Sequence, residues 1–125
     1  MKLNKIQTCN KNEGIVEVAK ILRDSNERHI YITDEEGKVL GIISTVDISS
    51  KVVAEGKDAR HVKVWQIMNS PVDFVDINQE PEFALKIMME RNTLACPVVE
   101  NGILLGTVAY NEVFSKVSQK IKGGN

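Results

Sequence analysis

The chain repeats itself at a fixed offset, and this internal repeat restricts the possible folds more than any other sequence feature. Gly37 and Gly102 are separated by 65 positions, and so are Gly41 and Gly106. The spacing of apolar residues in each half predicts the same order of strand, helix, strand, strand and helix. A three-stranded unit of this size buries too little surface to be stable alone, so we expect the two halves to pack together through their sheets.

The first half, residues 1–58, has one strand before its first helix and a hairpin before its second. Asn10 or Asn12 is expected to cap the first helix, and Gly37 to supply a positive φ in the hairpin turn. The predicted elements are a strand at 6–9, a helix that begins at 15 and ends at 24–26, strands at 30–33 and 38–44, and a helix at about 45–54.

The second half, residues 59–125, repeats this order after a polar, glycine-containing linker at 55–60. Pro81 is expected in the first helical turn, and Asn101-Gly102 is a strong signal for a two-residue hairpin turn. The predicted elements are a short helical turn at 64–68, a strand at 73–77, a helix from 81, strands at 96–100 and 103–109, and a helix at about 111–120. The predicted fold class is therefore α+β, with two pseudo-symmetric β-α-β-β-α repeats.

Charge and cysteine content exclude several functional classes. Sixteen Lys and Arg against seventeen Asp and Glu give a formal charge of -1, which argues against nucleic-acid binding. No apolar run approaches the roughly 20 residues of a membrane-spanning helix. The two cysteines, Cys9 and Cys96, lie in apolar strand-like surroundings and are expected to be buried free thiols, which suits a reducing cytoplasm. The sequence has no C-x-x-C pair or His/Cys cluster, so we predict no metal site.

The corner where the third predicted strand meets its helix carries two polar side chains. Ser44 ends the strand, and Asp47 follows three residues later in the first helical turn. This spacing is that of a capping box, in which the hydroxyl and the carboxylate satisfy backbone N–H groups. The same two side chains could also contact a ligand, because a hydroxyl and a carboxylate meet at a helix N-terminus. Both roles remain open, and they can coexist.

The ordered set of motifs, present twice, resembles a tandem pair of cystathionine-β-synthase (CBS) domains, called a Bateman module. The resemblance covers roughly residues 5 to 120, although the first half lacks the short helix of Trp65 to Met68. The matching segments are 18–24 and 32–44 with Asp47 in the first half, and 64–68, 84–88, 97–102 and 105–108 in the second.

The resemblance implies a regulatory or sensor module without catalytic residues. Such modules bind an adenosine-containing ligand (AMP, ADP, ATP, NAD or S-adenosylmethionine) in the cleft between the repeats. They commonly form homodimers and regulate an enzyme or transporter. By position, the implied ligand-binding residues are Ser44 and Asp47 for sugar and phosphate, Arg28 and His29 for phosphate, and Ile42, Ala84, Thr93 and Ala95 around the adenine.

The second corner departs from this pattern, since Ala109 and Glu112 stand where Ser44 and Asp47 stand in the first half. We therefore expect one competent site in each chain. The alternative function is a dimerisation scaffold that has lost its ligand. An enzyme is disfavoured because neither histidine, at 29 or 61, has an evident nucleophile or carboxylate partner.

Overall fold

The computed structural model describes residues 2–123, so Met1, Gly124 and Asn125 of the predicted halves lie outside the described residues. The chain divides into two compact units. The first unit is Ile6–Val72, and the second joins residues 73–123 to residues 2–5. Each unit contains one three-stranded sheet with helices, which confirms the α+β class and the two repeats.

The first unit is built on the sheet order β1-β2-β3, with β1 parallel and β3 antiparallel to β2. Its core forms because Ile30, Ile32 and Ile43 alternate along two strands onto the face covered by helix residues such as Val18 and Leu22. Its elements are β1 (Thr8–Cys9), α1 (Ile15–Ser25), β2 (His29–Thr33), β3 (Val39–Ser44), α2 (Thr45–Ile48), a π-helical turn (Ser49–Val53) and 3₁₀ turns at Ala59–His61 and Val64–Gln66.

The ends of α1 match the sequence prediction at one end only. Gly14 precedes the helix and makes no side-chain capping bond, so the prediction of a cap by Asn10 or Asn12 was wrong. The Asn10 side chain instead accepts a hydrogen bond from the backbone N–H of Asn12, which closes a local turn ahead of the helix. At the other end, Asn26 adopts the left-handed conformation with φ of 56°, which is typical of a helix C-terminus.

The second unit repeats the plan in the sheet order β4-β5-β6. Its buried core centres on Val98 and Val108 from the sheet with Met88 and Val113 from the helices. The predicted Asn101-Gly102 turn is confirmed, since both residues have positive φ, at 52° and 82°. The elements are β4 (Val75–Asp76), α3 (Pro81–Arg91), β5 (Ala95–Glu100), β6 (Ile103–Ala109) and α4 (Tyr110–Gly123).

The first residues described in each sequence half pack on the last strand of the other half's sheet. Residues 59–72, placed in the second half by sequence, belong to the first unit, where Asn69 and Ile42 exchange backbone hydrogen bonds of 2.9 and 3.0 Å. In the second unit, Asn4 and Thr107 exchange bonds of 2.8 and 3.1 Å. Asn69 follows Asn4 by 65 positions, and Thr107 follows Ile42 by the same number, so the repeat extends to these bridges. The boundaries of the compact units therefore differ from the predicted boundary of the sequence halves at residue 58.

The two cysteines are free thiols, with Cys96 buried and Cys9 partly buried. Burial is the main cause that raises the pKa of each thiol to about 11, so both stay protonated near neutral pH. Between residues 2 and 123, no helix has the length and apolar character to cross a membrane.

Candidate functional site

The strand-to-helix corner of the first unit forms a complete capping box. Ser44 ends β3 in an extended conformation and precedes α2. Its hydroxyl accepts the backbone N–H of Asp47 at 3.1 Å, and the Asp47 carboxylate accepts the backbone N–H of Ser44 at 2.8 Å. The predicted structural role of both residues is therefore present, and the corner has a fixed geometry.

The carboxylate of Asp47 has two further partners from outside its own turn. The side-chain amide of Asn69 donates to Oδ2 at 2.8 Å, and the ammonium of Lys51 lies 3.4 Å from Oδ1. The Asp47 side chain is 13% exposed, and burial raises its pKa. Hydrogen bonds from Ser44 and Asn69 and the charge of Lys51 together outweigh burial, so the pKa lies below its ordinary value. The corner therefore holds an ionised carboxylate.

Sequence reasoning missed Asn69 and Lys51 as members of this corner. Lys51 was detectable, because it follows Asp47 by four residues and such pairs face each other on a helix. The signal for Asn69 was its counterpart Asn4 at the repeat offset, but the bridge that carries it to Ile42 depends on tertiary structure. Lys51 also donates to the Asn69 side-chain oxygen at 2.8 Å and to the Ile67 carbonyl at 3.0 Å.

Three of the predicted site residues share one face of the first sheet. His29 pairs with Ser44 across β2 and β3, and Ile42 lies two residues before Ser44 on the same strand. Their side chains project away from the core face that contains Ile43, because strand side chains alternate. The structure thus brings His29, Ile42 and Ser44 together beside Asp47.

Arg28 lies at the edge of this group. Its carbonyl accepts the backbone N–H of Thr45 at 3.0 Å, and its exposed side chain has no hydrogen-bond or ion-pair partner among residues 2–123. It contributes to an open cavity of about 580 Å³ whose lining does not include Ser44 or Asp47. The lining residues are Ala19, Leu22, Arg23, Asn26, Glu27, Arg28, Thr45 and Ile48. Contact of Arg28 with a phosphate stays a prediction.

The predicted residues from the second unit differ in exposure. Ala84 is 0% exposed and lies in the core of its own unit, so it presents no surface to a ligand there. Thr93 is exposed, and its hydroxyl donates to the Ala95 carbonyl at 3.2 Å. Ala95 is also exposed and pairs with Ala109. Adenine contacts by these three residues stay predictions, and burial disfavours the one assigned to Ala84.

The second corner is chemically different from the first, as its sequence predicted. Ala95 faces Ala109 where His29 faces Ser44, so the polar pair is replaced by two methyl groups. The Glu112 carboxylate accepts the backbone N–H of Lys2 at 3.1 Å. One oxygen of the carboxylate at this corner is therefore bonded to the amino-terminal segment.

In the described part of the chain, no three His, Cys, Asp or Glu side chains are grouped to hold a metal ion. The Asp47 carboxylate is instead surrounded by N–H and O–H donors, an arrangement suited to polar organic groups.

Comparison with known proteins identifies the family to which this fold belongs. The model of the CBS domain matches the chain twice, at residues 3–54 and 64–119. The chain belongs to the CBS domain family. Its two units are therefore a CBS pair, and the Ser44–Asp47 corner lies in the first CBS repeat.

Relatives of this CBS pair include longer proteins. An uncharacterised protein of Methanopyrus kandleri is 32% identical over 107 residues, covering 85% of this chain and 55% of that protein. A homoserine O-acetyltransferase of Methanococcus vannielii is 30% identical over 112 residues, covering 89% of this chain and 23% of that protein. The chain thus spans about half or less of these curated relatives.

One solved CBS pair is similar in both sequence and structure. The CBS domain pair of protein MJ0100 was crystallised with 5′-methylthioadenosine and S-adenosyl-L-methionine. It is 30% identical to this chain with a TM-score of 0.73, covering 94% of this chain and 93% of that one.

Proposed function

We propose that this CBS pair is a regulatory module that binds an adenosine-containing ligand at the Ser44–Asp47 corner of its first repeat. The module itself is not catalytic, and the activity that it regulates belongs to an enzyme or transporter. The observation that carries this proposal is the ionised carboxylate of Asp47 beside the Ser44 hydroxyl at the start of a helix. An ionised carboxylate accepts both hydroxyls of a ribose, and helix N-terminal N–H groups suit a phosphate.

The neighbouring side chains supply the other contacts that such a ligand needs. Ile42 offers an apolar surface two residues before Ser44, on the same sheet face. His29 and Arg28 follow one another at the start of β2, and both are exposed. We assign Ile42 to the base and His29 and Arg28 to the phosphate.

The bound molecules of the MJ0100 pair support the ligand class. Both 5′-methylthioadenosine and S-adenosyl-L-methionine carry an adenosine, and neither carries a phosphate. We therefore propose that the site recognises the ribose and base first and that phosphate contacts are secondary. The contacts of Arg28 and His29 then determine which of AMP, ADP, ATP, NAD and S-adenosylmethionine binds.

The direct test is isothermal titration calorimetry of the full chain with each of these five ligands. Binding of at least one is expected, together with a shift in thermal stability. Asp47→Asn keeps the size of the side chain but removes its charge. Because a hydrogen bond to a charged group contributes about 1.5–3 kcal/mol, we expect this variant to weaken binding by about tenfold or more.

Glu112→Gln is the matched control, because it makes the same change at the corresponding corner of the second repeat. It is expected to leave the affinity nearly unchanged. Absence of heat and of a thermal shift with all five ligands would refute the proposed function. Equal loss of affinity in the two variants would instead place the ligand elsewhere.

We also propose that the module acts as a homodimer. The support is a set of large apolar side chains that remain exposed on the two helices of the second unit, including Phe83 on α3 and Phe114 and Ile121 on α4. Exposed apolar patches of this kind commonly mark protein interfaces. Light scattering during size-exclusion chromatography should give twice the chain mass, and Phe114→Lys should shift it toward the monomer.

A dimerisation scaffold without a ligand is the second candidate. It is favoured by one observation, namely that donors from the chain itself already surround Asp47 Oδ2. A scaffold would dimerise fully, and replacing Ser44 and Asp47 would cost only the helix cap. The titrations above distinguish this candidate from the ligand-binding module.

A further inference from the structure

The hydrogen bonds of the Asp47 carboxylate are unevenly divided between its two oxygens. Oδ2 accepts three: the backbone N–H of Ser44 at 2.8 Å, the Ser44 hydroxyl at 3.0 Å and the Asn69 amide at 2.8 Å. Oδ1 has the Lys51 ammonium at 3.4 Å. A carboxylate has about four lone-pair positions in total, two on each oxygen, so Oδ2 is saturated and Oδ1 is not.

This division limits how a ribose can bind. One hydroxyl can donate to Oδ1 without disturbing any existing bond. The second hydroxyl of a vicinal diol, placed on Oδ2, must replace a donor that is already there. Binding of both hydroxyls therefore requires an exchange within the protein.

The three donors on Oδ2 differ in how easily they can leave. The bond from the Ser44 N–H is one half of the capping box, and the Ser44 hydroxyl oxygen is held in place because it accepts the Asp47 N–H as the other half. Moving either Ser44 donor away from Oδ2 to make room for a ligand oxygen would therefore break the cap of α2. The Asn69 side chain is exposed and comes from a separate segment. Its amide can rotate away while the backbone of Asn69 stays bonded to Ile42 through both its N–H and its carbonyl. Asn69 is thus the donor that can be displaced at least cost.

We propose that the Asn69 amide occupies Asp47 in the ligand-free protein and is exchanged for one ribose hydroxyl when an adenosine ligand binds. This inference rests on the proposed function. Asn69 thereby acts as a specificity-determining residue, because it competes with the second hydroxyl and not with the first. The wild-type chain then discriminates less between ribose and 2′-deoxyribose than a chain without the Asn69 amide.

The exchange also changes the bonds of Lys51. In the ligand-free state the Lys51 ammonium holds the Asn69 side-chain oxygen and the Ile67 carbonyl. When the amide rotates, Lys51 keeps Ile67 and Asp47 as partners. The 67–69 segment therefore stays attached to the first unit, and the change is confined to one side chain.

The test compares adenosine, AMP, ADP and ATP with their 2′-deoxy forms by calorimetry, on the wild-type chain and on Asn69→Ala. Removing an internal competitor raises apparent affinity, so the variant should bind the ribonucleotides about three- to tenfold more tightly and the deoxynucleotides within about twofold of wild type. Asn69→Ser, whose hydroxyl is too short to reach Asp47, should behave like Asn69→Ala and guards against a folding defect in one variant.

Asn4→Ala is the matched control, because Asn4 is the counterpart of Asn69 at the repeat offset and bridges Thr107 in the second unit. It should leave the ratio of ribo- to deoxynucleotide affinity unchanged. A second readout is the side-chain amide signal of Asn69 in ¹⁵N NMR spectra, which should move on addition of a ribonucleotide and stay in place with its 2′-deoxy form.

Two results would overturn the inference while the proposed function stands: weaker binding of both nucleotide forms in Asn69→Ala, or an unchanged ratio between them. Either would make Asn69 a residue that only positions Asp47. If no adenosine ligand binds to the wild-type chain, the proposed function itself fails, and this exchange fails with it.

Discussion

Gly41 lies directly against the backbone carbonyl of Asn69. A Cβ atom at residue 41 would come within 2.9 Å of that oxygen and 2.8 Å of the Met68 sulfur. The sulfur belongs to a flexible side chain and can move, but the carbonyl is part of the bridge between Asn69 and Ile42. The absence of a side chain at residue 41 is therefore what allows the 67–69 segment to lie on β3.

Gly41→Ala should destabilise the protein by pushing this segment off the strand. Insertion of one methyl group into a tightly packed site costs about 1–3 kcal/mol. Gly106→Ala should have a comparable effect in the second unit, since its Cβ would come within 2.6 Å of the Asn4 carbonyl. Chemical denaturation monitored by circular dichroism measures both. Gly14→Ala is the control, because a Cβ there meets nothing within 4 Å; equal stability of all three variants would contradict this packing argument.

The contribution of Asp47 to stability should depend on pH. Its pKa in the folded protein lies below the ordinary 3.8, so the folded state favours the ionised form. The resulting stabilisation is fully present above the ordinary pKa and is lost as pH falls through the lower folded-state value. The difference in free energy of unfolding between the wild type and Asp47→Asn should thus be constant from about pH 5 to 7 and shrink below about pH 4.

Denaturant titrations of both proteins at a series of pH values measure this difference. Glu112→Gln, treated in the same way, accounts for general effects of acid on the fold. A difference between wild type and Asp47→Asn that does not change down to pH 3 would show that the charge of Asp47 adds nothing to the capping box.

A serine at the second corner should stabilise α4. Ala109 directly precedes this helix and has no side-chain acceptor for its N–H groups, whereas Ser44 supplies one to α2. Ala109→Ser should raise the free energy of unfolding, and Ser44→Ala should lower it, each by about 0.5–2 kcal/mol. Thermal unfolding of the two variants provides the comparison. A loss of stability in Ala109→Ser would mean that the hydroxyl is buried without a partner.

Much of the fold was predictable because its signals are local. The Asn101-Gly102 turn and the bounds of β6 follow from turn chemistry and strand alternation, and Asn26 ends α1 as a left-handed residue. The capping box at Ser44 and Asp47 was equally local, since it depends on a spacing of three residues. These features need no knowledge of distant parts of the chain.

The features that escaped prediction depend on contacts between distant segments. Asn69 reaches Asp47 only because its backbone pairs with Ile42, 27 positions earlier. The missing cap at α1 has a related cause, since the backbone N–H of Ile15 is satisfied by the distant carbonyl of Val62. Tertiary hydrogen bonds replaced the local one that the sequence suggested.

The bridge between Asn4 and Thr107 has a mechanical consequence. Lys2 and Asn4 are anchored in the second unit, because the N–H of Lys2 donates to Glu112 at the start of α4 and Asn4 pairs with Thr107 of β6. A force applied by a domain joined ahead of residue 2 would therefore act first on the second unit, although the first repeat follows that domain directly in sequence. A domain fused at either end of the chain would therefore transmit force to the same unit. The unit that contains the Ser44–Asp47 corner would receive no force directly from either fusion.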